Sequence, residues 1–173
     1  MSKTLDLREY QEDILDRIKE RTRSTEDASA RSRLGVRAGT MHWLVHLDDI
    51  SEVLPVPEIY PVPLAKPWFL GITNVRGNLY GVSDLAQFAG ESPAVTSIAS
   101  RILLTHPKYK AQAGLLVDAI VGLRTLDDME AQDASAPGAW MGRVFRDAAG
   151  ETWQEVDIRA LLVLPEFMKI ASN

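Results

Sequence analysis

The 173-residue chain contains no cysteine. This absence excludes disulfide frameworks, thiolate nucleophiles and thiolate metal sites, and it suits a reducing compartment. The first nine residues have no apolar core of signal-peptide length, and Asp118 interrupts the apolar stretch from Leu115 to Leu123. We therefore expect a cytoplasmic protein with no direct membrane insertion.

Positive charge is also scarce. The chain has 19 basic and 24 acidic residues, for a net charge of −5. Nucleic acids and anionic lipids are bound through clustered basic fields, so the composition argues against both as partners. Hydrophobic residues make up 46% of the chain and charged residues 25%, the balance of a folded globular protein. We expect one compact domain, or two small halves that share a core.

Recognisable catalytic motifs are absent from the sequence. It has no phosphate-binding Gly-Lys loop, no dinucleotide fingerprint and no nucleophile elbow around Ser83. His42 and His46 lie in an alternating, strand-like segment, where four residues span about 13 Å, too far to share one metal ion. A further acidic cluster lacks the central glycine and terminal glutamate of a calcium loop: Asp127, Asp128, Glu130 and Asp133. We expect no catalytic residues, no metal and no cofactor.

The first 32 residues are predicted to form a helix followed by a linker. Asp6 and Glu9 form a capping box, with a hydrophobic staple between Leu5 and Tyr10. Apolar residues then recur at helical spacing, at Leu7, Tyr10, Ile14, Leu15 and Ile18. Ser24 to Ser32 is polar without apolar periodicity, which indicates a linker. The amphipathic helix either covers the rest of the fold or binds a partner, and its spacing alone favours the first.

Beyond residue 32 the apolar period changes to two, which predicts strands. Alternation from Leu34 to Leu47 around Gly39-Thr40 predicts a hairpin. Asp48 and Asp49 are N-cap residue types, so a short helix or turn is predicted to follow them, through Ile50, Val53 and Leu54. Five prolines between residues 55 and 67 predict an extended connection. A second hairpin follows around a Gly77-Asn78 turn, then a helix capped by Ser83 or Asp84 that ends near Gly90. Segments 101–106 and 113–126 are again strand-like, around a polar tip at 107–110.

The two parts of the chain repeat the same order of residue types. At an offset of 73 positions the matching residues are Gly77, Tyr80, Asp84, Leu85 and Phe88 with Gly150, Trp153, Asp157, Ile158 and Leu161. At an offset of 70, Asp48, Ile50 and Val53 match Asp118, Ile120 and Leu123. Each half supplies a hairpin, a connection, a second hairpin and a short helix, too little core to stand alone. The repeat makes Asp84 and Asp157 helix caps rather than an acid–base pair.

Residues 71–77, Gly-Ile-Thr-Asn-Val-Arg-Gly, followed by Gly-Val-Ser-Asp-Leu at 81–85, resemble the Gly-x-x-Asn-Leu-Arg-Gly and Pro-Val-x-Asp-Leu pattern of CheW-like chemotaxis adaptors. Ile50-Ser51-Glu52-Val53 and Leu116-Val117-Asp118-Ala119-Ile120 extend the resemblance to roughly residues 33–164. Val75 stands where leucine is usual, and Gly81 where proline is usual.

The resemblance implies a mainly β fold: two tandem SH3-like five-stranded β-barrel halves with short helices and an added N-terminal amphipathic helix. The first half would span about residues 33–90 and the second about 101–164, with a C-terminal helix at 165–171. The implied function is non-catalytic: binding to the regulatory domain of a CheA-type histidine kinase and to the cytoplasmic tips of methyl-accepting chemoreceptors in membrane arrays. The added helix and the divergent tail resemble PilI-type members, which serve twitching motility by type IV pili.

The resemblance also suggests where partners bind. Arg76, beside the predicted turn of Asn74 and Gly77, would pair with Glu52 on a neighbouring helix. An apolar strip would contribute docking contacts through Ile50, Val53 and Leu54. The alternatives are an ordinary surface ion pair and core packing of the apolar residues. The second half has Val144-Phe145-Arg146-Asp147 instead, so we expect the first half to hold the kinase.

A second function remains open from the sequence. The proline run and the four tryptophans, Trp43, Trp68, Trp140 and Trp153, would also suit a small β-barrel that binds a proline-rich peptide or RNA. The acidic net charge is the main argument against RNA.

Overall fold

The computed structural model describes residues 7–172, with side-chain environments from residue 13 onward. Helix α1 runs from Leu7 to Arg31, so the predicted linker at 24–32 is wrong. The segment contains no glycine or proline, and three of its hydroxyls bond back to the preceding turn, as Thr25 Oγ1 does to the Arg21 carbonyl at 2.8 Å. The predicted capping box and staple involve Leu5 and Asp6, which lie outside the described residues.

Helix α1 does not cover the rest of the fold. Its apolar residues Ile14, Leu15 and Ile18 are 40%, 54% and 55% exposed. Asp13 and Arg17 form the expected pair one turn apart, with 3.0 Å between their charged atoms. Over the described residues, the prediction that this helix packs on the sheets is therefore wrong.

Two β-sheets and three short helices form the body of the protein. One sheet has five strands in the order β3-β6-β7-β5-β4, and the other has six in the order β8-β1-β2-β11-β10-β9. Together with α1 they confirm the predicted mainly β fold class with short helices and an N-terminal helix. The strands are β1 Ser32–Ala38, β2 Met41–His46, β3 Ile50–Pro55, β4 Phe69–Val75, β5 Asn78–Asp84, β6 Arg101–Thr105, β7 Ala113–Val117, β8 Ala119–Thr125, β9 Glu130–Gln132, β10 Met141–Arg146 and β11 Thr152–Val156, and the helices are α2 Leu85–Phe88, α3 Ile158–Val163 and α4 Pro165–Met168.

The two sequence halves interleave, so neither half forms a sheet by itself. The first hairpin, β1-β2, joins the second half's β8, β10 and β11, whereas β6-β7 joins the first half's β3, β4 and β5. The junctions are the parallel pairs β2-β11 and β5-β7. Parallel neighbours require long crossovers, which here run between the halves. The repeat is therefore real in sequence, but residues 33–90 and 101–164 exchange strands.

Equivalent positions of the repeat do the same structural work. Asp84 accepts a hydrogen bond from the backbone N–H of Gln87, and Asp157 accepts one from Ala160, so both cap a helix as predicted. Gly77 and Gly150 both have φ of +86°. The structure thus confirms that the paired aspartates are caps.

Three local boundaries differ from prediction. The short helix near Asp48 is a 3₁₀ turn over Leu47–Asp49 that ends before Ile50, so the following residues are strand. The hairpin turn is centred on Arg76-Gly77, with φ of +51° and +86°, one residue earlier than predicted. The C-terminal helix stops at Met168 because residue 170 pairs instead with the connection after β3, where the Lys66 N–H donates to the Ile170 carbonyl at 2.7 Å.

Three apolar clusters hold the body together. The largest fills the space between the two sheets and includes Trp43 stacked on Trp140, with ring centroids 5.5 Å apart. A smaller cluster lies within the five-stranded sheet around Val82 and Ile102, and another within the six-stranded sheet around Trp153. The inter-sheet cluster makes the two sheets one folding unit.

Gly71, in β4, is expected not to tolerate a side chain. Its φ is +137°, and an added Cβ would lie 2.1 Å from the Tyr60 carbonyl oxygen. That oxygen belongs to the backbone and cannot move without displacing the chain. Gly71→Ala should lower the free energy of unfolding by more than about 2 kcal/mol, measured by urea denaturation. Gly90→Ala is the matched control, because Gly90 has φ of +90° with nothing within 4 Å of the Cβ position. Equal losses for the two variants would contradict the clash.

Candidate protein-docking surface

The β4-β5 turn is held by its own side chains. Asn74 Oδ1 accepts a hydrogen bond from the Gly77 N–H at 2.8 Å. Positive φ at both central residues matches the right-handed twist of the two strands, which favours this turn in hairpins. The turn projects the Arg76 side chain outward from the end of the hairpin.

Arg76 pairs with Glu52 across the sheet, as predicted. Arg76 Nη1 lies 3.1 Å from both carboxylate oxygens of Glu52, and Nη2 contacts the same carboxylate. β3, which carries Glu52, and β4 are the opposite edges of the five-stranded sheet, so their meeting requires the sheet to curl. The carboxylate raises the pKa of Arg76 through its hydrogen bonds and charge, so the guanidinium stays positive. Both side chains remain accessible, at 62% and 37% exposure.

The predicted apolar strip on β3 is not continuous. Ile50 packs against the inter-sheet cluster and Leu54 against the cluster within the five-stranded sheet. Val53, 39% exposed, is the member of the three that faces solvent most. A register shift between Ile50 and Glu52 rotates the strand at this point. Core packing, the alternative reading, thus applies to Ile50 and Leu54.

The hairpin presents a different apolar surface, which sequence reasoning missed. In β4 the polar residue is buried and the apolar one is exposed. Thr73 is 1% exposed and donates a hydrogen bond to the Glu58 carbonyl at 2.7 Å, while Ile72 faces solvent. Leu79, 56% exposed, lies opposite Asn74 on β5. We call Ile72 and Leu79 the Ile72–Leu79 patch. An apolar residue outside next to a polar residue inside is the signal that could have identified it.

The patch opens into a groove between the hairpin and the C-terminal segment. The groove has a volume of about 360 Å³, and its apolar lining includes Phe69, Ala113, Phe167 and Met168. Gly81 lies beside it, where the Phe69 ring comes within 3.1 Å of the Cβ position and the Gly81 N–H donates to the Gln112 carbonyl at 2.9 Å. A proline here would lose that hydrogen bond, which explains why proline does not occupy this position.

The equivalent end of the six-stranded sheet is built differently. A longer loop joins β10 to β11, and Asp147 closes it by accepting hydrogen bonds from the N–H groups of Ala149 and Glu151 and from Trp153 Nε1. These bonds, that from Trp153 foremost, lower the pKa of Asp147. Arg146 is exposed on β10. Among residues 13–172, it forms no ion pair within 4.0 Å, in contrast to Arg76.

The suspected metal and stacking residues have structural roles. His46 Nδ1 accepts a hydrogen bond from the Asp48 N–H, and the His42 ring packs 4.8 Å from the Trp153 ring. Within the described part of the chain no three histidine or acidic residues cluster as metal ligands. Trp43, Trp140 and Trp153 are at most 5% exposed, and Trp68 packs against the inter-sheet cluster. The three buried tryptophans cannot stack on a base or a proline, and the half-buried Trp68 is itself stacked on Phe167, with ring centroids 5.5 Å apart.

Comparison with known proteins gives a consistent picture. The family model described as "CheW-like domain" matches residues 33–166. Protein PilI of Pseudomonas aeruginosa is 31% identical over 93 residues, covering 54% of this chain and 52% of PilI. Chemotaxis protein CheW of Rhizobium meliloti is 26% identical over 102 residues, covering 59% of this chain and 65% of that protein. The chain thus spans about half to two thirds of the length of these relatives.

A solved structure shares the fold. The scaffolding protein TtCheW from Thermoanaerobacter tengcongensis superposes with a TM-score of 0.64 over 83% of this chain and 96% of that chain, at 18% sequence identity. In the described range, 7–172, no helix combines the length and the apolar character needed to cross a membrane.

Proposed function

The chain belongs to the CheW-like domain family, whose members are non-catalytic scaffold proteins, and from this premise we propose that it couples methyl-accepting chemoreceptors to a CheA-type histidine kinase. The similarity to PilI supports a role in twitching motility by type IV pili. The adaptor would act in the cytoplasm at membrane chemoreceptor arrays.

The observation that carries this proposal is the arrangement at the β4-β5 turn. A fixed, accessible charge pair of Arg76 and Glu52 stands beside the exposed Ile72–Leu79 patch. Protein interfaces combine apolar contact with a few well-placed polar anchors, arginine prominent among them. We place the kinase contact on the five-stranded sheet, with Asn74, Gly77 and Val53 at its margin. All of these residues lie in the first sequence half, although the sheet that carries them also contains β6 and β7.

Coupling needs no chemistry of its own. A protein that binds receptor and kinase together lets a change in one partner bias the other, provided that its contacts differ between their states. The peptide- or RNA-binding alternative is less favoured, since three of the four tryptophans that suggested it are buried and Trp68 is stacked on Phe167.

The proposal predicts a three-component complex. Beads that carry a receptor cytoplasmic tip should retain the kinase regulatory domain when the full chain is added, and lose it when the chain is left out. Retention can be measured by pull-down with purified components. If the chain binds neither the receptor tip nor the kinase regulatory domain when each is offered alone, the adaptor function is wrong.

The Ile72–Leu79 patch can be tested within the same assay. Leu79→Glu should lower kinase retention, whereas Leu123→Glu, a change at a 69% exposed leucine on the six-stranded sheet, should leave it unchanged. Equal effects of the two variants would show that the kinase does not bind at the patch.

A further inference from the structure

The groove beside the Ile72–Leu79 patch adjoins a second cavity. This cavity has a volume of about 500 Å³ and lies between Asn78, on β5, and the loop over residues 106–112 that joins β6 to β7. Both cavities are lined by Tyr80 and by residues 110–112, which places them next to each other. We call the combined surface the hairpin groove.

The hairpin groove is free of acidic side chains over the part of the chain that the structure describes. Among the described residues that line either cavity, Lys110 is the one that carries a formal charge at neutral pH. The chain as a whole is acidic, with 24 acidic and 19 basic residues, so this groove differs in charge from the rest of the protein. Lys110 is exposed, and no carboxylate of residues 13–172 lies within 4.0 Å of its ammonium group. The ammonium is therefore available to a partner.

The backbone of Lys110 has a conformation that favours glycine. Its φ is +53° and its ψ is +27°, and its N–H donates to the Pro107 carbonyl at 2.9 Å to close the 3₁₀ turn Pro107–Tyr109. Glycine would close the same turn without steric cost. Strained positions of this kind are concentrated at functional sites. The conformation thus indicates a role for the lysine side chain rather than for the turn.

Apolar side chains line the part of the hairpin groove next to the C-terminal segment. Phe69, Phe167 and Met168 belong to this lining, and Met168 is 58% exposed. A partner that buries apolar side chains here also removes water from around Lys110. An ammonium group that loses water without gaining an opposite charge costs free energy. The partner that fits this groove therefore brings a carboxylate to the position of Lys110.

We propose that the hairpin groove binds an apolar segment of the kinase regulatory domain that carries an aspartate or glutamate opposite Lys110. This inference rests on the proposed function, which places the kinase contact on the adjoining Ile72–Leu79 patch. The patch and the apolar lining supply contact area. Lys110 determines which segment binds and in which direction it lies, because charge pairs at an interface fix register and exclude wrong partners.

Charge reversal tests the contact. Lys110→Glu should weaken binding of the kinase regulatory domain to the full chain at least about tenfold, measured by isothermal titration calorimetry. Lys19→Glu is the matched control: it makes the same charge change at an exposed lysine of α1, a helix that contributes none of the described lining residues, and should change the affinity less than about twofold.

The two variants distinguish failure of this inference from failure of the proposed function. If the wild type binds the kinase and Lys110→Glu binds it equally well, the assignment of Lys110 is wrong, while the adaptor function stands. If the wild type does not bind the kinase at all, both are wrong.

Replacement of Lys110 by glycine separates the side chain from the fold. Glycine adopts the left-handed conformation without strain, so Lys110→Gly should not lower the midpoint of urea denaturation. Its affinity for the kinase should nevertheless fall at least about threefold, since the charge pair is lost. Unchanged affinity of this variant would show that the ammonium group makes no contact with the kinase.

Zero-length crosslinking identifies the partner's carboxylate. A carbodiimide joins a lysine amine to a carboxylate that touches it, so Lys110 should form an amide with an aspartate or glutamate of the kinase regulatory domain, found by peptide mass spectrometry. Lys110→Arg keeps the positive charge but has no reactive amine, and it should bind the kinase without forming this crosslink. A crosslink from Lys110 to the receptor tip instead of the kinase would overturn the proposed occupant.

Discussion

Replacing Trp43 by alanine is expected to lower the free energy of unfolding by about 3–5 kcal/mol. Trp43 is fully buried, its ring stacks on Trp140, and its Nε1 donates to the Ala38 carbonyl at 3.3 Å. The substitution removes a large apolar side chain from the cluster that joins the two sheets, and the surrounding rings can close the space only in part. Both sheets should therefore lose stability together.

Urea denaturation followed by far-UV circular dichroism checks this expectation. The curve should remain a single transition, shifted to a lower midpoint, because the sheets share strands from both halves and one inter-sheet core. Val95→Ala is the control, and a change at that exposed site should stay within about 0.5 kcal/mol. Two separate transitions would show that the sheets unfold independently, and a loss below about 1 kcal/mol would mean that the cavity refills.

Local features of this fold were predictable because the responsible chemistry is local. The alternation from Leu34 to Leu47 specified the first hairpin, now β1-β2. Asp84 and Asp157 could be identified as helix caps because both repeats place an aspartate directly before a short apolar helix. In each, the carboxylate accepts a hydrogen bond from the backbone N–H three residues later. The turn was misplaced by one residue because Arg76, a residue that seldom adopts positive φ, occupies its first central position.

Long-range features were not predictable from the same patterns. The exchange of strands between the halves depends on the parallel pairs β2-β11 and β5-β7, and periodicity within a strand does not specify its neighbour. The helix through residues 24–31 was missed because its polar sequence has no buried face to mark it. Polar residues there are satisfied by back-bonding to the helix itself, as in Thr25 to Arg21.

The candidate surface was partly predictable for the same reasons. The pairing of Arg76 with Glu52 followed from the resemblance, although Glu52 lies on a strand rather than on the neighbouring helix that was expected. The apolar part of the docking surface was predicted at Ile50, Val53 and Leu54, which lie on β3. There, beside a register shift, Ile50 and Leu54 pack against the two apolar clusters instead of facing solvent. The Ile72–Leu79 patch could not be predicted without knowing that Thr73 is buried, because that places Ile72 on the solvent side of β4.

Arg76→Glu is expected to lower the affinity for the kinase regulatory domain at least about thirtyfold, as a central arginine anchor of an interface does. The variant replaces the accessible positive charge and places two carboxylates together at the edge of the five-stranded sheet. Isothermal titration calorimetry measures the loss. Arg146→Glu is the matched control: an arginine exposed at the end of β10 in the six-stranded sheet, whose reversal should change the affinity less than threefold.

A double variant separates the two things that the Arg76–Glu52 pair can do. Glu52→Arg with Arg76→Glu restores an ion pair between the same two strands but exchanges the positions of the charges. If the pair served only to hold the edges of the sheet together, the double variant would bind the kinase as the wild type does. Because electrostatic complementarity at an interface depends on where each charge lies, we expect it to bind as poorly as Arg76→Glu. If Arg76→Glu binds the kinase as tightly as the wild type does, the kinase does not contact this turn, since the exposed Arg76 side chain would contribute through its charge rather than through buried packing.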